Sequence, residues 1–221
     1  MENKLVILGA GESGIGAAIL GKKKGYEVFV SDQNNIQKEL QTLLDKEGIQ
    51  WESGQHSLEA MQEAHLVVKS PGISSDIPLI KALKAQGKTI CSEIEFAAQH
   101  TAATLIGITG TNGKTTTTLL TYQILKDAGL HVGLAGNIGN SFALQVAQTD
   151  FDFYVLEISS FQLDDILNFS PHIAVITNIT PDHLDRYNYR FEDYIQSKLK
   201  ISENQTENDF FLFNAADPVL N

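Results

Sequence analysis

A single cysteine, Cys91, stands in a chain of 221 residues. An internal disulfide framework is therefore excluded, and the chain fits a reducing compartment. Cys91 itself reads as a small buried apolar residue. Positive charge is also short: Lys and Arg total 16 against 27 Asp and Glu, for a formal charge of -11. That balance argues against nucleic acid or an anionic membrane surface as the main partner. It leaves room for a small phosphorylated ligand held by loops and helix ends. No apolar run approaches the roughly 18 residues that cross a bilayer. The start, Met1-Glu-Asn-Lys4, lacks the basic opening of a secretory signal. A soluble cytoplasmic protein with no membrane partner is expected. Long repeats and low-complexity tracts are missing too. With 43% hydrophobic and 19% charged residues, the composition is that of ordinary globular domains.

What is present is alternation. Short apolar runs at 4–8, 27–31, 66–69, 89–91, 104–109, 131–135, 152–157, 172–178 and 209–213 read as strands. Helical periods fall between them, at 14–24, 36–47, 78–86, 92–100, 114–128, 140–147 and 191–203. Such alternation predicts parallel sheets covered on both faces. The pattern restarts after Gln99-His-Thr-Ala-Ala103, which places a domain boundary at 101/102.

Each half opens on a phosphate-type loop. In the first, Leu5–Leu8 runs into Gly9-x-Gly11-x-x-Gly14, and Asp32 closes the next apolar run. This is the dinucleotide fingerprint, with the helix after Gly11 aiming its N-terminus at a diphosphate and Asp32 placed for a ribose. Read alone, it points to NAD. In the second, 104–109 runs into Gly110-Thr-Asn-Gly-Lys-Thr115. Backbone N–H groups there can cradle phosphates, Lys114 can reach the outer ones, and the Thr115 hydroxyl can ligate Mg2+. The usual glycine five residues before Gly113 is replaced by Ile108, and the glycine falls at Gly110 instead. Glu157 ends the run Phe153–Leu156, at the strand end where α/β sheets place ligands. A hydride-transferring enzyme has no evident use for the second loop. A ligase that joins a nucleotide-carried acid to an amine would use both.

The residues then resemble a specific family. Gly110–Thr115, Gly136-Asn-Ile-Gly139, Asn178-Ile-Thr-Pro-Asp-His-Leu-Asp-Arg-Tyr187 and Ser197-Lys-Leu199 follow one another as in the Mur ligases, the ATP-dependent amide-forming enzymes of peptidoglycan precursor synthesis. Ser70-Pro-Gly-Ile73 and Glu157-Ile-Ser-Ser-Phe-Gln-Leu163 are closest to the D-glutamate-adding branch. The resemblance implies a Rossmann-like N-terminal domain, 1–101, that binds the UDP of the substrate rather than NAD. A P-loop-type α/β ATP-binding domain, 102–221, would follow it. Its implied partners are ATP, UDP-N-acetylmuramoyl-L-alanine and D-glutamate, with Mg2+ as cofactor and a monomeric state.

Residue by residue, the resemblance makes Ser13, Gly14, Asp32, Ser70, Pro71 and Gly72 the UDP pocket, with Asn137 and Ser159 toward the substrate acid and its sugar. ATP falls to Gly110, Thr111, Asn112, Gly113, Lys114, Thr115 and Thr116. Metal ligands would be Thr115, Glu157, His183 and Lys198, the last as a carbamate. Lys114, His183 and Lys198 carry the catalytic assignments. His56, His65, His100, His131 and His172 receive none. The family continues for roughly as many residues again, so the second domain is expected to be incomplete, a third missing, and the chain inactive alone. An NAD(P) oxidoreductase and a non-catalytic nucleotide-binding module are the competing readings.

Overall fold

The computed structural model describes residues 4–221. Its first sheet holds β1 (Lys4–Leu8), β2 (Glu27–Asp32), β3 (Gln50–Ser53), β4 (Leu66–Lys69) and β5 (Thr89–Ser92), in the order β3-β2-β1-β4-β5. The second holds β6 (Thr104–Thr109), β7 (Val132–Gly136), β8 (Phe153–Glu157), β9 (Ile173–Ile176) and β10 (Phe210–Phe213), in the order β10-β9-β6-β8-β7. All pairings are parallel. Central strands of such sheets are buried on both faces, which is why Leu5-Val-Ile-Leu8 and Tyr154-Val-Leu156 are unbroken apolar runs.

The crossovers in the first half are α1 (Glu12–Lys23), α2 (Lys38–Lys46) and α3 (Pro78–Ala85), with α4 (Glu93–Ala98) leading out of it. The second half carries α5 (Lys114–Asp127), α6 (Phe142–Gln148), the single-turn α7 (Ser160–Leu163) and α8 (Phe191–Leu199). A 3-10 turn at Lys200–Ser202 ends α8, so the expected helix to 203 divides there. Strand β3 escapes the sequence reading because Gln50-Trp-Glu-Ser53 has one apolar residue. An edge strand can be that polar, since its pairing with β2 rests on backbone hydrogen bonds. The expected strand at 172–178 is shorter, giving out at Ile176 where the chain turns toward the second loop.

The two sheets share one continuous core. Helix α1 lies against α6, and Phe96 of α4 belongs to the same cluster as Phe142 and Tyr154. The contact demands small residues: a Cβ at Gly16 would overlap the Ser141 hydroxyl. Buried polar groups cross the same boundary. Glu93 Oε1 accepts from Ser141 Oγ at 2.7 Å and from the Ala143 N–H at 2.6 Å. Glu95 Oε2 accepts three successive N–H groups, of Leu167, Asn168 and Phe169, at 2.9, 3.0 and 2.7 Å. Lys69 Nζ pairs with Asp165 Oδ2 at 2.8 Å with both side chains buried, and the Ser92 N–H donates to the Asp165 carbonyl.

Burial of the Glu93 carboxyl pushes its pKa from 4.5 up to about 7, with the charge of Glu12 adding to the effect against its hydrogen bonds. The folded state therefore holds this proton more tightly than the unfolded chain. The stability it contributes is present below pH 4.5 and is lost as pH rises to about 7. Urea unfolding of the parent chain and Glu93→Gln across pH 4.5 to 7 tests the point. The parent should lose stability relative to the variant by a few kcal/mol over that window. A constant difference would show that Glu93 stays ionised throughout.

Candidate functional site

Both phosphate-type loops sit at the C-terminal ends of their sheets, where adjacent crossovers leave on opposite faces and open a crevice. In the second sheet the ends of β8, β6 and β9 lie side by side, bringing Glu157, the loop after Thr109, and Thr177 together.

That loop is braced from β9. The Thr111 N–H donates to the Asn178 carbonyl at 2.9 Å, and the Asn112 N–H to Asn178 Oδ1 at 3.0 Å. Asn178 Nδ2 returns a bond to the Asn112 carbonyl at 2.9 Å, and Thr177 Oγ1 donates to the same carbonyl at 2.7 Å. Gly110, at φ 143°, has no room for a side chain beside Thr177. Gly113, at φ 82°, caps α5, whose first-turn N–H groups at Lys114, Thr115 and Thr116 have no intrahelical acceptor. The sequence reading placed the loop and missed its braces. Thr177 and Asn178 carry no charge and show their part only through the strand order.

Around the loop the charged side chains interlock. Thr115 Oγ1 donates to Glu157 Oε2 at 2.7 Å, and Asn137 Nδ2 to Glu157 Oε1 at 2.8 Å. Lys114 Nζ donates to the Gly110 and Thr111 carbonyls, both at 2.9 Å. Lys198 Nζ, buried on α8, reaches the same Gly110 carbonyl at 2.8 Å and lies 4.6 Å from the Tyr194 ring centre. Two ammonium groups thus converge on one oxygen. Burial, and then the Lys114 charge, push the Lys198 pKa down to about 7, against the pull of Asp182 and Asp164.

His183 stands apart from this group. It is exposed, at φ 50°, with its ring 5.3 Å from that of Phe161 and Nε2 3.6 Å from Asp182 Oδ2. No hydrogen bond joins it to Thr115, Glu157 or Lys198 among the described residues. Ser159 is engaged locally, its hydroxyl and N–H both bonded to Gln162 as the cap of α7. Among the described residues no three His, Cys, Asp or Glu side chains form a metal cluster. Thr115 and Glu157 do suit Mg2+, an oxygen-seeking ion that commonly takes one or two carboxylates and completes its shell with phosphates and water.

The first loop borders a cavity of about 660 Å3, lined by Gly9, Gly11, Ser13, Asp32, Ser70, Pro71 and Gly72 among others. Asp32 is built into its wall, accepting the Ala10 N–H at 2.7 Å and the Asn34 N–H at 2.8 Å. Gly14 lies behind, against the Gly9 carbonyl, and serves helix–strand packing. The Ser70 hydroxyl is buried and lacks a partner among the described residues. The hydroxyl packs against Gly9 just behind the cavity wall, and a turn of the Ser70 side chain would bring this unpaired group to a ligand oxygen. Arg186, unassigned from sequence, ties the halves together here. Its guanidinium lies 4.4 Å from the Phe161 ring centre, and Nη2 donates to the Pro71 carbonyl at 3.3 Å.

Comparison with known proteins gives two family matches: Mur ligase MurD-like, N-terminal domain over residues 3–92, and Mur ligase middle domain over 108–221. The chain is 57% identical over 217 residues to the UDP-N-acetylmuramoylalanine–D-glutamate ligase of Bacteroides fragilis, covering 98% of this chain and 49% of that protein. The enzymes of that name in Bacteroides thetaiotaomicron and Porphyromonas gingivalis are 56% and 48% identical, over 98% of the chain and 49% and 48% of their own lengths. The chain thus spans about half the length of these curated relatives. Among solved structures, UDP-N-acetylmuramate:L-alanyl-gamma-D-glutamyl-meso-diaminopimelate ligase from Neisseria meningitides matches 100% of the chain and 74% of its own, with TM-score 0.66 and 20% identity. UDP-N-acetylmuramate-alanine ligase from Thermotoga maritima matches 98% and 50%, with TM-score 0.60 and 24% identity. At these identities the two structures show a shared fold.

The bracing of the second loop has a direct test. Gly110→Ala forces a side chain into Thr177 at a backbone angle that disfavours one, which should cost about 1–3 kcal/mol. On a chain of this size the melting temperature should fall by several degrees. An unchanged melting curve would mean that the loop is not held as described.

Proposed function

This chain belongs to the Mur ligase family, and from that premise we propose that it is the N-terminal and central part of an ATP-dependent ligase that adds D-glutamate to UDP-N-acetylmuramoyl-L-alanine. The observation that carries the reading is the joining of Thr115 and Asn137 on the Glu157 carboxylate at the loop that holds Lys114, in a chain that has a separate cavity at its first loop. One pocket would hold the UDP-linked acid and the other ATP. Residues 1–101 and 102–221 would be the respective domains of a cytoplasmic monomer.

In the reaction proposed, the substrate carboxylate attacks the γ-phosphate of ATP, forming an acyl phosphate and releasing ADP. The amine of D-glutamate then displaces phosphate and forms the amide. The N–H groups at the start of α5 would cradle the phosphates, and Lys114 would exchange its two carbonyl partners for the outer oxygens. Thr115 and Glu157 would hold Mg2+, which when bound supplies positive charge against the crowded phosphates. His183, carried to the crevice by the loop after β9, would join them only through a shift of its side chain or a bound water. The Ser70 hydroxyl, Ser13 and the wall at Asp32 would bind the UDP portion.

Lys198 would act as a carbamate. Its amine at a pKa near 7 is substantially neutral at physiological pH, and only the neutral form has the lone pair that adds to carbon dioxide. The nitrogen gains a bond to carbon and loses a proton. A buried cation becomes an anion beside Lys114, replacing repulsion with attraction. An NAD-binding reading leaves the whole Lys114–Glu157 arrangement without a use.

Calorimetric titration with UDP-N-acetylmuramoyl-L-alanine, and with NAD in comparison, tests the first pocket. The UDP compound should bind, and Ser70→Ala should weaken it about tenfold without lowering the melting temperature, because no internal hydrogen bond is lost. Binding of NAD alone would reverse the assignment. For Lys198, incubation in 13C-bicarbonate should give a carbamate carbon resonance that is missing from Lys198→Arg. Identical spectra would leave Lys198 an unmodified amine.

A further inference from the structure

The first cavity contains a side chain that neither the fingerprint nor the family motifs single out. His56 follows β3 and lines the cavity on the side of Asp32. Its ring is held at one atom, with Nδ1 2.7 Å from Ser31 Oγ. Ser31 has one hydroxyl proton, and that proton is committed, because Ser31 Oγ lies 2.7 Å from Glu52 Oε1. Burial opposes ionisation of Glu52, but hydrogen bonds from Ser57 and Ser31 outweigh it and hold the carboxyl below its ordinary range. A carboxylate only accepts, so Ser31 donates to Glu52 and accepts from His56. Nδ1 therefore carries the proton. In the neutral imidazole that leaves Nε2 as an acceptor, and Nε2 has no hydrogen-bond partner among the described residues.

The arrangement is a relay across the C-terminal ends of two paired strands, since Ser31 of β2 stands opposite Glu52 of β3. A surface histidine needs no such fixing of its tautomer. On the wall of a ligand cavity, fixing it converts an ambiguous ring into one defined acceptor. Resting on the reading of this cavity as a UDP site, we propose that His56 is a specificity-determining residue that accepts a hydrogen bond from a donor on the nucleoside. Two donors have that chemistry, the imide N–H of uracil and a ribose hydroxyl. Cytosine presents an acceptor at the position of the imide, and so would lose the first contact and keep the second.

Calorimetry on the chain with UDP and CDP, for the parent, His56→Asn and His56→Gln, decides the matter. Asn can keep the anchor on Ser31 but cannot reach as far as Nε2, while Gln can place a carbonyl oxygen near that position. His56→Asn should weaken UDP binding on the order of five- to tenfold with an unchanged melting temperature, and His56→Gln should recover part of the loss. A loss confined to UDP identifies the uracil imide as the donor, and an equal loss for UDP and CDP identifies the ribose. If His56→Asn binds UDP as the parent does, His56 only anchors the loop after β3 and the proposal fails. If the parent binds NAD but no UDP, the UDP reading of the cavity falls, and the proposal with it.

Discussion

Three carboxylates buried between the sheets, Glu93, Glu95 and Asp165, set the relation on which the site depends. Each leaves one half and is satisfied by backbone or side-chain donors of the other. A buried carboxyl group, ionised or protonated, is costly unless its partners are placed well, and these partners are correct only for one docking of the halves. Apolar packing of α1 on α6 supplies attraction but tolerates sliding. The carboxylates remove that freedom and fix how the two halves, each with its own loop, are held against one another. Lys69 shows how close the docking device lies to function, because its partner Asp165 belongs to the other half and its neighbour in sequence, Ser70, lines the nucleotide-type cavity.

The second loop works under a different constraint, an excess of positive charge around a single carbonyl. Lys114, half-buried, and Lys198, buried, both donate to Gly110, and a like charge beside a buried ammonium is relieved when that group gives up its proton or an anion arrives. An arriving anion would relieve that excess of positive charge. Its rigidity comes from uncharged neighbours, Thr177 and Asn178, which bind the backbone of residues 109–112 and leave the N–H groups at the start of α5 free. The positive charges come from two helices, α5 and α8, and the uncharged braces from the segment that follows β9.

The sites were unequally legible. Glycine spacing marks a loop because backbone conformation depends on it locally, and Lys114, Thr115 and Glu157 lie beside strand ends that an apolar run announces. Their mutual contact could be expected, and Thr115 and Glu157 do bond directly. His183 could be placed only by resemblance, and the structure leaves its ring with Phe161 and Asp182. Ser159 and Asn137 are substrate ligands only by resemblance, and within the chain Ser159 caps α7 and Asn137 donates to Glu157. His56 gave no signal, and Arg186 and Asn178, though inside the motif Asn178–Tyr187, gave none of the part they play, since each depends on a partner 25 to 115 residues away in sequence or on the neighbour relation of strands.

Local chemistry in the sequence was enough to determine the α/β alternation, most element positions and the two phosphate-type loops. Period, apolar runs and glycine turns act over a few residues, and their effect survives whatever the rest of the chain does. Strand β3 marks the limit: Gln50–Ser53 is a strand only because β2 offers it a free edge. Tertiary structure alone decided which strands are neighbours, that the carboxylates of α4 would be buried in the other half, that two lysines would share one carbonyl, and which nitrogen of His56 would remain free. Those outcomes depend on desolvation and on partners brought together by the fold, and neither quantity exists until the chain has closed upon itself.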